Sequence, residues 1–129
     1  MQRQTVHTGT PWEPVVGYSR AVRVGDVVHV SGTTATDEDG ALVGEGDAGR
    51  QAEQILANVG RALERVGAGF SDVVRTRMYV VDASDWEAVG RAHGAVFGDV
   101  RPASTLVAVK ALVDPRMLVE IEVEAIVGS

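Results

Sequence analysis

Cysteine is absent from this chain of 129 residues, and its absence excludes several kinds of chemistry at once. Without thiols the protein has no disulfide, no thiolate metal site and no cysteine nucleophile. A chain of this length buries roughly two-thirds of the surface that its unfolded form exposes, so it builds a core without such cross-links. Residues 1–129 therefore predict a single domain. A chain free of cysteine also agrees with a reducing compartment, and we expect a cytoplasmic protein.

Long apolar runs and clusters of basic residues are also missing. The first ten residues, MQRQTVHTGT, lack the apolar core of a secretory signal, and no later run is long enough to span a bilayer. Twelve basic residues stand against eighteen acidic ones, which gives a net charge of −6. That sign is wrong for general binding to nucleic acid. We therefore expect a soluble protein with neither a membrane nor a nucleic acid as its partner.

The periodicity of the apolar residues predicts a mixed order of strands and helices. Short runs rich in β-branched residues predict five strands, at residues 20–24, 27–31, 73–81, 104–110 and 118–127. Apolar residues at helical spacing predict two helices, at 49–66 with Asp47 as the N-cap and at 85–97 with Ser84 or Asp82 as the cap.

The connecting segments are marked by glycine and proline. The pair Gly25-Asp26 between the first two strands is a hairpin signature. Residues 9–17 are rich in Gly and Pro, which predicts an irregular segment. Residues 33–47 predict an exposed loop, with room for a short strand at 41–43.

One face of the predicted sheet carries an unusual density of charge. Glu120, Glu122 and Glu124 alternate along the last strand, and like charges so placed lie about 7 Å apart and repel one another. Arg75 and Arg77 alternate along a central strand and are candidate partners. Two helices cover only one sheet face, so the charged face is either solvated or buried by another subunit. Both interpretations stay open, and the second makes this face a polar surface between subunits that holds a site.

Several stretches, taken in order, make the chain resemble a known family. They are Gly17-Tyr18-Ser19, the stretch 28–32 (VHVSG), the run 72–82 (DVVRTRMYVVD), the helix 85–97 and the C-terminal stretch 101–126, RPASTLVAVKALVDPRMLVEIEVEAI. With this pattern the chain resembles the RidA/YjgF family over nearly its whole length. The resemblance implies an α+β fold like that of chorismate mutase, with a mixed six-stranded sheet, two helices on one face, and assembly into a trimeric barrel.

The resemblance also implies a chemistry. Relatives hydrolyse reactive enamines and imines to 2-oxo acids and ammonia in clefts between subunits of the homotrimer, with neither metal nor organic cofactor. An imine carbon is already electrophilic, so the protein needs to orient the small-molecule ligand, hold a water and manage protons. Matched residue by residue, Tyr18 falls on the family's site tyrosine and Gly32 on the glycine whose backbone lines the cleft. Glu124 falls on the glutamate that holds the attacking water, which makes it the candidate catalytic residue.

One departure from the family concerns the substrate carboxylate. Relatives that act as deaminases read Pro-Ala-Arg-Ser, and this chain places Ser104 where their arginine stands, followed by Thr105. The family's asparagine on the second helix corresponds to Gly90. Three substitutes stay open: Arg101 reaching into the cleft, Arg77 doing so from its strand, or a neutral ligand group bound by the hydroxyls of Ser104 and Thr105. Arg77 is the expected partner of Glu120 or Glu122, which makes it less available to a ligand. We therefore favour a neutral ligand group bound by Ser104 and Thr105.

Trp12 and the histidines also call for interpretation. Trp12, in the Gly/Pro segment near Tyr18, either anchors that segment or walls the ligand cleft. His93 lies toward the core side of the second helix, where a packed or hydrogen-bonded histidine is the expected role. The histidines share no metal-ligand spacing, so we expect no metal site.

Three classes of function follow. The first is an enzyme that hydrolyses an enamine or imine with water held by Glu124. The second is a non-catalytic trimer that senses or sequesters a small metabolite through the same clefts. The third, an endoribonuclease, is a label that some relatives carry, and the acidic net charge disfavours it.

Overall fold

The computed structural model describes the whole chain, Met1–Ser129. Six strands form one sheet in the order β1-β2-β3-β6-β4-β5, in which β4 and β5 are parallel and all other neighbours antiparallel. The strands are β1 Arg3–Val6, β2 Ala21–Val24, β3 Val27–Thr33, β4 Val73–Val80, β5 Ala103–Ala108 and β6 Val119–Ile126. The helices are α1 Trp12–Val16, α2 Ala48–Glu64 and α3 Trp86–Phe97. The predicted α+β class with a mixed six-stranded sheet is confirmed.

Two local predictions were wrong. The segment predicted to be irregular contains the five-residue helix α1, which follows Pro11. The strand predicted at 41–43 is absent, because Leu42 forms only an isolated bridge with Thr36. The sixth strand is instead β1, which pairs with the edge of β2. At four residues, with Val6 alone buried, β1 is too short to show a period of its own.

Turn and cap chemistry explains where the main elements begin and end. The two-residue hairpin joins Val24 to Val27, and Gly25 takes φ +61° at its first position, as this order of turn residues requires. The carboxylate of Asp47 accepts from the backbone N–H of Arg50 at 3.0 Å and caps α2. Neither candidate caps α3 itself, whose N-cap is Asp85 without a side-chain bond. Asp82 instead caps the 3-10 turn Ala83–Asp85 that leads into the helix.

The core lies between the sheet and the helices α2 and α3. Alternate residues of β6 point into it and are almost fully buried, namely Val119, Ile121, Val123 and Ala125. The apolar stripe of α2 packs on them through Ile55, Leu56, Val59 and Leu63. Full burial of such a side chain stabilises the fold by about 1.5–3 kcal/mol. None of the helices is long and apolar enough to cross a bilayer.

A single buried glutamine joins two loops to α2. The Gln51 side-chain nitrogen donates to the carbonyls of Gly44 at 3.1 Å and Arg116 at 3.0 Å. Its oxygen accepts from the backbone N–H of Leu118 at 2.8 Å. The residue is 0% exposed, so these bonds satisfy the amide where water does not reach. The loop before α2 and the loop before β6 are therefore held by one side chain.

Candidate functional site

The sheet face opposite the helices, called here the open face, carries the predicted charge ladder. Arg77 donates from Nη1 to Oε1 of Glu124 at 2.9 Å and lies 3.9 Å from Oε1 of Glu122. Tyr79 donates its hydroxyl to Glu122. The predicted pairing of Arg77 with Glu122 is therefore present, but Glu124 is the closer partner and a pairing with Glu120 is wrong. The register explains why Arg77 does not pair with Glu120, since β4 places Tyr79, not Arg77, opposite Glu120.

These contacts fix the protonation of two side chains on the open face. The hydrogen bond to Glu124, with the nearby charge of Glu122, raises the pKa of Arg77, so the guanidinium stays cationic. The hydrogen bond to Glu122 raises the pKa of Tyr79, so the phenol keeps its proton. Only Oε1 of Glu124 accepts a bond within the chain, and the side chain is 34% exposed. The second carboxylate oxygen of Glu124 is thus free to accept a hydrogen bond from water.

Tyr18 and Gly32 meet through Arg20, a residue that the sequence reasoning missed. Arg20 is 7% exposed, donates from Nη1 to the Gly32 carbonyl at 2.6 Å and from Nη2 to the Tyr18 hydroxyl at 3.2 Å. Its guanidinium also lies 5.5 Å from the centre of the Tyr18 ring. A buried cation needs such partners, and here they include a carboxylate, Glu13, at 3.8 Å.

Glu13 holds the segment in front of Tyr18. This carboxylate is 3% exposed and accepts from the hydroxyls of Thr8 at 2.7 Å and Thr10 at 2.6 Å. Burial by itself raises the pKa of Glu13, but the hydrogen bonds from Thr10 and Thr8 and the charge of Arg20 outweigh it and lower the pKa. A cleft of about 600 Å³ lies along this segment, with Glu13 and Tyr18 in its wall. Trp12, on α1, is outside that lining and 36% exposed.

Glu120 lies against Gly32. A Cβ at position 32 would come 2.0 Å from Oε2 of Glu120, so the end of that side chain would have to move aside. Glu120 makes no hydrogen bond or ion pair within the chain. Its burial raises its pKa, which the charge of Arg20 opposes and that of Glu122 reinforces. Glu120 is therefore a partly buried carboxylate beside two predicted site residues, a position that only the strand register reveals.

We expect Gly32→Ala to displace the Glu120 side chain and to lower stability by about 1–3 kcal/mol, the usual cost of overpacking. The measurement is the free energy of unfolding of Gly32→Ala, Glu120→Ala and the double variant. Because Glu120→Ala removes the obstructing carboxylate, the double variant is expected to lose less than the two single losses added together. Additive losses would contradict the close approach of Gly32 and Glu120.

Ser104 and Thr105 lie on opposite faces of β5, so one chain does not direct both hydroxyls at one ligand group. Thr105 is on the open face, in register with Arg77. Ser104 is on the helix side, exposed at the sheet edge, and its Oγ accepts from the hydroxyl of Thr76 at 2.8 Å. The Thr76 hydroxyl also bonds Nε2 of His93 at 2.8 Å. His93 is thus hydrogen-bonded and half-buried, as expected from its place on the helix.

Arg101 is exposed and its side chain has no hydrogen-bond or ion-pair partner within the chain. Its φ of +53° is the only positive value at a residue other than glycine. Its backbone N–H donates to the carbonyl of Phe97 at 2.8 Å and closes the end of α3. Side chains in this left-handed region carry strain, which concentrates at functional sites. Arg101 therefore remains available to a ligand, whereas Arg77 is held by glutamates.

The predicted site residues form two groups that do not converge within one chain. Tyr18 and Gly32 lie where β3 ends, whereas Ser104 and Arg101 lie at the start of β5, at the opposite edge of the order β3-β6-β4-β5. Three strand spacings alone separate β3 from β5 by about 14 Å. Glu124 lies at the end of β6, four positions along the strand from Glu120 and Gly32, which is about 13 Å. A metabolite of a few carbon atoms does not span the separation of β3 from β5. No group of three or more His, Asp or Glu side chains is arranged to hold a metal ion.

Comparisons with known proteins agree with this architecture. The family model described as Endoribonuclease L-PSP matches residues 8–127. An uncharacterized protein of Streptomyces coelicolor is 44% identical over 124 residues, 96% of this chain and 92% of its own. The 3-aminoacrylate deaminase RutC of Acinetobacter baylyi is 33% identical over 113 residues, 88% of each chain. A crystal structure from Mycobacterium tuberculosis, described as a member of the YjgF/YER057c/UK114 family, has a TM-score of 0.90 and 44% identity, covering 98% of this chain and 100% of that one. The chain belongs to the RidA/YjgF-like family.

Proposed function

We propose that this protein is a deaminase that hydrolyses a small enamine or imine in clefts between its own copies. The observation that carries the proposal is Glu124, fixed by Arg77 through one carboxylate oxygen with the other oxygen free. A relative that is 33% identical is named as a deaminase of 3-aminoacrylate, itself an enamine. The description of the matching family model names an endoribonuclease, but a net charge of −6 does not support RNA binding here.

The chemistry asks little of the protein beyond placement and proton handling. Water adds to the imine carbon as Glu124 accepts a hydrogen bond from it and takes its proton. The nitrogen of the resulting carbinolamine then gains a proton and leaves as ammonia, and the oxygen becomes a carbonyl. Positioning the water and transferring protons in this way supplies about 100-fold to 10,000-fold for each general acid or base.

We propose a homotrimer because the site is incomplete in one copy. Tyr18, Gly32 and Glu124 of one subunit would face Ser104 and Arg101 of the next. The open face supports such an interface, since its charged middle is bordered by exposed aliphatic side chains in register across β2, β3 and β6, namely Val24, Val27 and Ile126. Such a mixture of apolar contact and charged pairs is typical of surfaces between subunits.

The substrate is proposed to differ from the usual 2-imino acid. A bidentate bond from arginine to a carboxylate contributes about 1.5–3 kcal/mol, or roughly tenfold to a hundredfold in affinity, and Ser104 offers only a hydroxyl. Arg101 is a cation without a partner near this position, and Arg75, in register with Ala103, is another that lies on the open face. We therefore infer that Ser104 binds a neutral group, and that any carboxylate on the ligand relies on Arg101.

The test is release of ammonia from freshly generated 2-aminoacrylate, 2-iminopropionate and 3-aminoacrylate. We expect weak activity of the wild type on the first two, and a KM at least about tenfold lower for Ser104→Arg, matching the affinity that one such bond supplies. Light scattering of both proteins at micromolar concentration is expected to give a trimer. If both are trimers and neither releases ammonia, the non-catalytic binding function replaces this proposal. A monomer would contradict the intersubunit cleft.

A further inference from the structure

Three hydrogen-bonded side chains connect the exposed edge of β5 to the interior. Ser104, Thr76 and His93, called here the hydroxyl relay, are joined by two bonds of 2.8 Å each. Both distances are typical of strong hydroxyl hydrogen bonds. The outer end, Ser104, is exposed, whereas Thr76 is 0% exposed and His93 half-buried.

We propose that the hydroxyl relay carries a proton between the ligand and His93, with Ser104 as the group that touches the ligand. This inference rests on the proposed deaminase function and assigns the second proton-transfer group that the reaction needs. Glu124 handles the water from the open face of one copy. Ser104 lies on the other face of the sheet, so the Ser104 that handles the nitrogen of the ligand would belong to the adjoining copy.

Thr76 is a polar residue in an apolar row. On β4 it faces the core on the same side of the sheet as Met78 and Val80, which are apolar. Valine has nearly the same shape and would bury no polar group, and a buried hydroxyl is costly unless it is hydrogen-bonded. The only partners of the Thr76 hydroxyl are His93 and Ser104. Both bonds of this hydroxyl therefore serve the connection between them.

The relay works in either direction because a hydroxyl both donates and accepts. To protonate the ligand, Nε2–H of His93 donates to Thr76, Thr76 to Ser104, and Ser104 to the ligand nitrogen. Each oxygen gives one proton and gains one, so His93 loses the proton of Nε2 while its Nδ1 takes one up from solvent, and the imidazole stays neutral. The net proton that the ligand gains comes from solvent. To deprotonate the ligand, the same steps run backwards and end with a proton on Nε2.

His93 is suited to be the inner end. Its ring lies 4.7 Å from that of Phe97, and burial lowers its pKa, so the imidazole is neutral at pH 7 and able to accept. No charged side chain of α2, α3, β4 or β5 contributes to this shift. The ionisable neighbours on α3, Glu87 and Arg91, pair with each other at 3.1 Å. The arginines of β4 lie on the open face.

The decisive variant is Thr76→Val, which keeps the shape of the side chain and breaks the relay. We expect kcat on the best substrate of the ammonia assay to fall at least about tenfold, a modest share of what acid–base catalysis supplies, with KM within about twofold. The limb of the kcat–pH profile that follows His93 is expected to disappear. Thr76→Ser restores the hydroxyl and is expected to recover both the rate and that limb. An unchanged rate and pH profile in Thr76→Val would overturn the proposal.

A second measurement does not depend on turnover. NMR titration of the His93 ring reports its pKa and which nitrogen carries the proton. In Ser104→Ala and Thr76→Val the His93 pKa is expected to change relative to the wild type, because the bonded chain at Nε2 is shortened or removed. If the wild type releases no ammonia from any substrate, the proposed function fails. If the His93 titration is the same in all three proteins, the relay itself fails.

Discussion

Glu124→Gln is expected to lower kcat/KM for ammonia release at least about 100-fold, since a glutamine does not take a proton from water. The amide has the size of the carboxylate and still accepts a bond from Arg77, so placement is retained while the base is lost. The measurement is the rate of ammonia release at saturating and at low concentrations of substrate. Light scattering of the variant is expected to match the wild type.

The matched control is Glu122→Gln. Glu122 lies on the same face of the same strand and accepts from Tyr79, but the proposed mechanism gives it no step. Its substitution is expected to leave kcat/KM within about threefold, as for other surface charges outside a site. Equal losses in both variants would show a general effect of charge on the open face and would contradict a specific role for Glu124. A loss of ligand affinity in Glu124→Gln without any turnover in the wild type would identify a binder.

Phe97→Ala is expected to lower the free energy of unfolding by about 3–5 kcal/mol, the usual range for a buried phenylalanine. Phe97 is 2% exposed, at the end of α3. Its ring meets that of Phe70 edge-on at 5.5 Å and that of His93 at 4.7 Å. The side chain therefore joins α3 to the segment before β4 and supports the inner end of the hydroxyl relay. Chemical denaturation measures the loss.

Phe97→Leu provides the comparison. Leucine retains most of the apolar volume and loses the aromatic contacts, which contribute about 0.5–1.5 kcal/mol per pair. We expect its unfolding free energy to lie between those of wild type and Phe97→Ala. If alanine and leucine cost the same, aromatic geometry and not the filling of the core would account for the effect.

The parts of the fold that could be predicted from the sequence are those with one clear period. Helix α2 shows its buried stripe over 17 residues, and β6 alternates over eight. Helix α1 and strand β1 have five and four residues, and packing partners far along the chain decide whether such short segments are ordered. The loop at 41–43 has strand-forming residues but no neighbouring strand with which to pair, beyond the single bridge to Thr36.

The sequence could predict which sheet face each candidate site residue lies on, but not which residues it contacts. Alternation correctly separated Glu124 and Arg77 from the core, whereas their pairing depends on the register between β4 and β6. The approach of Glu120 to Gly32 likewise needs the register of β3 against β6, which a bulge shifts. The separation of Ser104 from Thr105 was visible in the sequence, because neighbouring residues of a strand always face opposite ways.

The shared bonds of Gln51 couple two loops that are distant in the chain. If the loop before α2 opens, the amide loses its bond to Gly44, and if the loop before β6 opens, it loses those to Arg116 and Leu118. Either event uncovers a side chain that water does not reach in the closed form. Each loop thus raises the free energy needed to open the other, and the two behave as one cooperative unit of local unfolding.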